Sequence, residues 1–402
     1  MKHDPYQRPT NASSLDYTAV RLSNRAWHLT QQLIFSTLVL LFSLCAGAAS
    51  PALKLGMSAP LTGAAASLGQ DYQAGAMLVF DRVNQQGGIA GRPLQLISLD
   101  DGYEPLRTVA NTKSLLFEHE VTALFGFIGT PTSNAVLPML RLRQTPYLAA
   151  FSGADLLRQP HDEFIYNFRA SYVQEAEAQI RYLVDQQKYR RVALLIQADE
   201  FGATLEQHFR QQLQQRGITP IVTSRFARNT KDVRHVVNDL IKAKPELVLT
   251  VGTYQVLSAV MNSTAEQGFN PLYSVVSFSG VSKLSQLLPT SSRVIASMVV
   301  PDPASDQSAF TQTYRTAAQA AGQQPNEIGL EAFAAATLLV QALQSCATEL
   351  NRACILQQLP QQQLFDFPLH YDPNRHQASQ QIFLVHVGQR QLQPITIPVL
   401  AQ

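Results

Sequence analysis

From residue 53 onward, short continuous apolar runs alternate with stretches in which apolar side chains recur every three or four positions, the pattern of strands and helices in a parallel α/β sheet. Residues 53–57 read as a first strand. Asp71 is placed to cap a helix carrying Ala74, Met77, Leu78 and Val83, which Gly87-Gly88 stops. A strand at 94–99, a helix at 105–119, a strand at 121–126, a helix at 133–143 and a strand at 146–150 complete one doubly wound unit. The pattern then restarts, with helices at 175–187, 203–216, 233–243 and 256–267 and strands at 191–196, 220–223, 247–251 and 273–277. It breaks at 298–303. Two long helices follow, at 308–321 and 327–344, then paired β-like runs at 381–387 and 391–398 around the turn-like Gly388-Gln389.

The first fifty residues bear on compartment. Arg21 and Arg25 precede an apolar run at 33–45 that ends in the small residues Ala46-Gly47-Ala48-Ala49-Ser50, the pattern of a secretory signal peptide. The run is shorter than the ~20 residues of a bilayer span. Residues 1–48 are therefore expected to be removed, leaving a soluble exported protein in the periplasm. An acyl anchor on Cys45 would require a small residue where Leu44 stands. After cleavage, Cys346 and Cys354 are the remaining thiols, eight positions apart in a compartment where disulfides persist. A local bridge is expected, the alternative being two buried thiols.

Across 402 residues, 46% are hydrophobic and 15% charged, so the chain holds a large core, in two or three domains by length. With 31 basic against 29 acidic residues the net charge is only +2, so binding to nucleic acid through general phosphate neutralisation is not indicated.

In open parallel sheets, ligands bind beyond the carboxyl ends of the strands. After the third strand comes Gly129-Thr130-Pro131-Thr132-Ser133-Asn134, where hydroxyls and unpaired N–H groups open a helix and favour an anion. After the fourth, Phe151-Ser152-Gly153-Ala154 is expected to open a second. Ser133 and Ser152 could equally be plain helix caps. The second unit contributes Asp199-Glu200-Phe201-Gly202, Gly252-Thr253-Tyr254-Gln255 and Phe278-Ser279-Gly280-Val281, each joining an aromatic to small polar residues. That mixture suits a small ligand with one apolar and one charged part. No GxGxxG, GxxxxGK[ST], GxSxG or HExxH motif occurs, and the Asp100-Asp101 pair reads as a structural loop rather than a metal or catalytic site. No cofactor, metal or catalytic residue is expected.

Three segments together carry a family resemblance: Gly56-Met57-Ser58-Ala59-Pro60-Leu61-Thr62-Gly63, then residues 83–94 around Gly87-Gly88-Ile89-Ala90-Gly91-Arg92, then Asp100-Asp101-Gly102-Tyr103-Glu104-Pro105. Phe127-Ile128-Gly129-Thr130-Pro131-Thr132-Ser133, Tyr166-Asn167-Phe168-Arg169 and Phe367-Pro368-Leu369-His370-Tyr371-Asp372 extend it to nearly the whole mature chain. These resemble the periplasmic leucine/isoleucine/valine-binding proteins, the type I substrate-binding proteins of ABC transporters. The resemblance implies two lobes, each a doubly wound parallel sheet, joined by three hinge crossovers near Arg169, Pro301 and Leu369. Lobe one would comprise 53–169 and 302–368, and lobe two 170–301 and 369–402. It further implies an α-carboxylate held at Thr130 and at Ser152-Gly153-Ala154, with Thr132 and Ser133 in the same helix start, and aromatic walls at Phe201 and Tyr254. The family's acid for an amino-acid ammonium falls on Ser279, and a frequent aromatic falls on Leu68. A bound ammonium would then need Glu175, Asp199 or Glu331, or the ligand has no ammonium. The implied function is capture of an amino acid or related carboxylate by a monomer that delivers it to a membrane permease. A sensory receptor of the same fold is the alternative, and an exported α/β enzyme a remote one.

Overall fold

The computed structural model describes Met1, Trp27 and residues 51–395, the last apart from 290, 347–348, 365–366, 368, 372–375 and 389–390. The expected signal peptide lies outside the described residues.

The first sheet has five parallel strands in the order β2-β1-β3-β4-β5: β1 (Leu53–Ala59), β2 (Leu94–Asp100), β3 (Ala123–Phe125), β4 (Tyr147–Leu148) and β5 (Ile165–Tyr166). Its register is set by pairs such as Leu55 with Leu96 and Leu124 with Tyr147. The helices between these strands are α1 (Ala66–Gln85), α2 (Pro105–Phe117) and α3 (Thr130–Arg143). Leu53, Leu55, Met57 and Ala59 share one face of β1 and are all sealed.

The second sheet has seven strands in the order β14-β13-β10-β9-β8-β6-β7. Five are parallel: β6 (Val192–Gln197), β7 (Val222–Phe226), β8 (Leu247–Val251), β9 (Leu272–Val275) and β10 (Arg293–Met298). The hairpin β13 (Phe383–Gly388) and β14 (Gln391–Pro394) adds two antiparallel strands on the β10 edge. The connecting helices are α4 (Tyr172–Ile180), which continues into a π-helical turn (Arg181–Gln186), α5 (Glu200–Gln214), α6 (Arg234–Ala243), α7 (Tyr254–Glu266) and the short α8 (Val281–Leu287).

After β10 the chain returns to the first sheet as α9 (Ala309–Ala320), α10 (Glu327–Ser345) and α11 (Arg352–Gln358), followed by the small ladder β11 (Gln363–Leu364) with β12 (Leu369–His370). Helix α10 is apolar enough to cross a membrane by length and composition, but 78% of that window is buried in the protein, so it is a core helix. Gly75 of α1 packs directly on the backbone of Gly329 in α10. The first and third crossings between the sheets run side by side: Asn167 N–H donates to the His376 carbonyl (2.7 Å), and Ala378 N–H donates back to the Asn167 carbonyl (3.0 Å). The architecture is thus α/β, with a largely parallel sheet in each of two lobes.

Three elements depart from the sequence reading. Asp71 sits inside α1 rather than at its cap; the helix starts at Ala66 after an Ala65 that supplies no side-chain cap, so no capping residue marks the start. The segment after β4 makes only a three-residue turn, Asp155–Leu157, and not a helix. The stretch expected to break the pattern at 298 is preceded by a full strand, β10.

Candidate functional site

The lobes are closed on one another. On one rim the Ser67 N–H of the first lobe donates to the Tyr254 hydroxyl (3.3 Å), and Glu327 accepts from both the N–H (3.0 Å) and the hydroxyl of Ser282. On the other rim Arg228 reaches Glu104 of the first lobe (3.1 Å) and Asp199 of its own (3.2 Å). Asn229 donates to Glu104 (2.9 Å) and to the Gly102 carbonyl (3.2 Å). Each rim carries a crevice. One, of 280 Å³, is lined by Ser67, Asp71, Ser282, Lys283, Tyr314 and Asn326; the other, of 920 Å³, includes Glu104, Gln197, Asp199, Glu206, Arg225 and Arg228. Neither crevice is lined by Thr130 or Ser152, which are sealed from solvent.

In that sealed interior the Thr130 and Ser152 hydroxyls bond each other at 2.8 Å, joining the start of α3 to the loop after β4. Thr132 donates to the Ile128 and Gly129 carbonyls, and Ser133 to the Gly129 carbonyl at 2.6 Å, while Tyr147 donates to Ser133. The hydroxyls of Thr132 and Ser133 are therefore engaged within the helix start, and what that terminus offers a ligand is backbone N–H and its dipole. Ser152 also accepts from Ala154 N–H (3.3 Å). Gly153 is required by close packing: a Cβ there would stand 2.8 Å from the Tyr172 nitrogen and 2.5 Å from its Cδ1.

From the second lobe Phe201 and Phe278 stack with centroids 4.6 Å apart, and Phe278 crosses the cleft to Phe151 (5.4 Å) and Tyr103 (5.9 Å). Tyr172 closes the group against Phe201 (5.4 Å). Gly280, with φ of +79°, brings its backbone against Leu68 and Tyr254, with Ile328 just beyond. All the candidates expected from sequence, Thr130, Thr132, Ser133, Ser152, Gly153, Ala154, Phe201, Tyr254 and Ser279, are buried in the structure.

The sequence reading pointed to Phe278 within its strand-end segment but did not single out Tyr172. Tyr172 follows Ser171, whose capping box with Gln174 was legible as a serine three residues before a glutamine; where its ring would point was not. The Tyr172 phenol is pushed up to about 12 by burial, with the Arg169 guanidinium acting the other way. Its hydroxyl and the Ser279 hydroxyl have no hydrogen-bond partner, nor do Nε and Nη1 of Arg169. Arg169 lies 4.0 Å over the Phe151 ring and donates from Nη2 to Glu331 (3.0 Å). Burial opposes its charge, but the Glu331 and Glu175 carboxylates more than offset that and hold the guanidinium above its ordinary pKa.

The three carboxylates considered for an ammonium already have protein partners. Glu175 accepts from Ser277 N–H (2.8 Å), Ser277 Oγ (2.8 Å) and Ser297 Oγ (2.6 Å). Asp199 caps α5 through the N–H groups of Phe201 and Gly202 and also takes Gln197 and Arg228. Glu331 is paired with Arg169. The Asp100-Asp101 loop is likewise structural. Asp100 accepts from Leu61, Thr62, Gly102 and Arg107, and Asp101 from Ser58, Tyr103 and Thr108.

Known proteins share this fold. A crystal structure described as a possible leucine/isoleucine/valine-binding protein from Rhodopirellula baltica superposes with a TM-score of 0.82 at 32% identity, covering 88% of this chain and 98% of that one. A Streptococcus pneumoniae branched-chain amino acid transporter substrate-binding protein, solved with isoleucine, superposes with a TM-score of 0.76 at 15% identity, covering 86% and 99%, a likeness of fold. An amino acid binding protein of Pseudomonas aeruginosa is 25% identical over 217 residues, 53% of this chain and 57% of the relative, so the match spans little more than half of that protein. With residues 52–391 matching its family as a whole, the chain belongs to the periplasmic binding protein family.

Proposed function

We propose that this protein is the extracytoplasmic receptor of an ABC importer, capturing a small carboxylate-bearing ligand between its lobes and presenting it to a membrane permease. The observation that carries the proposal is the buried cluster between the lobes, which includes the α3 terminus, the Thr130–Ser152 hydroxyl pair, the unpartnered hydroxyls of Tyr172 and Ser279, and the apolar side chains of Phe201, Phe278 and Tyr254. A concave site with few polar groups on apolar walls is what a small ligand needs. Release requires the lobes to part about the three crossings, a hinge motion. Family membership and the secretory pattern of the first fifty residues support action outside the cytoplasm.

A thermal-shift screen of amino acids, aliphatic and aromatic acids and amides on the mature protein tests this. A ligand specific to the folded state stabilises it by about 2.7 kcal/mol at a hundredfold excess over Kd. With the best ligand, calorimetry on Thr132→Pro, which deletes one N–H from the α3 terminus, and on Tyr254→Ala, which removes an apolar wall, should show weakened binding. Parent-like binding by both folded variants would place the site elsewhere.

A further inference from the structure

We infer that the ligand is a monocarboxylic acid with an apolar body and no ammonium group. The inference rests on the reading of the cleft as a carboxylate site and concerns what else the ligand carries.

Several of the buried polar groups without partners in the interior between the lobes are donors, beside the acceptors Glu331 Oε1 and Gln197 Oε1. Ser279 Oγ, Tyr172 Oη, and Nε and Nη1 of Arg169 are buried without partners. Tyr172 lies beside Thr130 at the α3 terminus, where unpaired N–H groups and the helix dipole add further positive character. A carboxylate accepts from donors of this kind.

An ammonium meets none of them. Both oxygens of Glu175 are taken by Ser277 and Ser297. Both oxygens of Asp199 are taken by the α5 cap, Gln197 and Arg228. Both oxygens of Glu327 are taken by Ser282. Glu331 keeps one oxygen without a hydrogen bond, but its charge is matched by Arg169, so an ammonium drawn there meets a guanidinium 3.0 Å from the same carboxylate. The groups closest to Gly280, beside Ser279, are Leu68, Tyr254 and Ile328. An ammonium in such surroundings gives up its hydration without a counter-charge, and a buried charge of that kind is strongly disfavoured.

Three matched pairs differ only in the amine: L-leucine with 4-methylpentanoate, L-valine with 3-methylbutanoate, and L-phenylalanine with 3-phenylpropanoate. Calorimetry and thermal shift on the mature protein should show, in at least one pair, the acid binding about tenfold or more tighter than its amino acid. Ser279→Glu supplies the missing carboxylate and should reverse that order; Ser279→Asp serves the same purpose if the longer side chain disturbs folding. An amino acid that binds the parent as tightly as its acid overturns the inference while leaving the receptor reading intact. If none of the six molecules binds, the carboxylate reading itself fails, and the inference with it.

Discussion

Arg169 and Glu331 meet at 3.0 Å with both side chains sealed from solvent, tying the first crossing between the sheets to α10. Because Arg169 also stacks on Phe151, one ion pair links the hinge, the first lobe's interior and the wall of the cleft. Removing one partner of a buried pair leaves an uncompensated charge, which costs about 3–5 kcal/mol. Glu331→Gln should lose about that much in urea unfolding. The double variant Arg169→Met with Glu331→Met should lose less than Glu331→Gln alone, since it removes both charges; a larger loss would show that the pair itself stabilises the fold.

Stability should rise as the solution is acidified from neutrality toward pH 5. Burial pushes Asp71 and Asp101 up to about 6, against an ordinary 3.8, and the hydrogen bonds to Asp101 only partly offset it. In each case the folded carboxyl holds its proton more tightly than the unfolded one. Its favourable contribution is full below the unfolded pKa and is lost as pH rises through about 6. At about 1.4 kcal/mol per pKa unit, each site is worth about 1 kcal/mol between pH 7.5 and 5, less at Asp71, which is partly screened. Asp71→Asn should raise the urea midpoint at pH 7.5 and shrink the difference between pH 7.5 and 5. Asp100 works in the opposite sense: its hydrogen bonds from Thr62, Leu61, Gly102 and Arg107 overcome burial and hold it low, so its contribution disappears only in strong acid. An unchanged pH profile in Asp71→Asn would show that Asp71 does not titrate in this window.

The structure joins Cys346, at the end of α10, to Cys354 in α11, whose N-cap Asn351 accepts from the Cys354 N–H. The bridge fixes a short loop against the core helix. Closure of so short a ring restricts the unfolded chain by about 2–3 kcal/mol. Reductant should therefore lower the melting temperature of the parent and leave a Cys346→Ala/Cys354→Ala variant, which melts lower to begin with, unaffected. Two free thiols in the exported, unreduced protein would rule the bridge out.

What the sequence disclosed followed burial. Strands β6 and β8 are sealed along their whole length and so appear as unbroken apolar runs. Helices α6 and α10 start and stop within a residue or two of their apolar periodicity. The two-residue strand β5 is too short to impose a pattern. At the site, Thr130, Ser152, Phe201 and Tyr254 were legible because they immediately follow strands. Tyr172 depends on how the two sheets face each other, a relationship that no local run of residues encodes. The same holds for Arg228, whose partners Asp199 and Glu104 lie 29 and 124 positions away.

Arg228 should set how readily the cleft opens. It bonds Glu104 on the first lobe and Asp199 on the second, and only the first of these bonds spans the cleft; Asn229, with φ of +57°, adds two more bonds to the same stretch of the first lobe. The Arg228 guanidinium also lies 5.6 Å from the Tyr103 ring, beside the aromatic group inside. A partly exposed ion pair contributes about 1 kcal/mol or less and weakens with salt. Spread over the Arg228 and Asn229 contacts, such a latch biases closure by about tenfold. Arg228→Met should therefore enlarge the radius of gyration of the unliganded protein in X-ray scattering and weaken ligand binding by about three- to tenfold, with most of the change in the dissociation rate. Raising salt should reproduce part of that expansion in the parent and add little in the variant. If the two proteins scatter alike at low salt and respond alike to high salt, the rim of Ser67, Tyr254, Ser282 and Glu327 holds the lobes together and Arg228 does not.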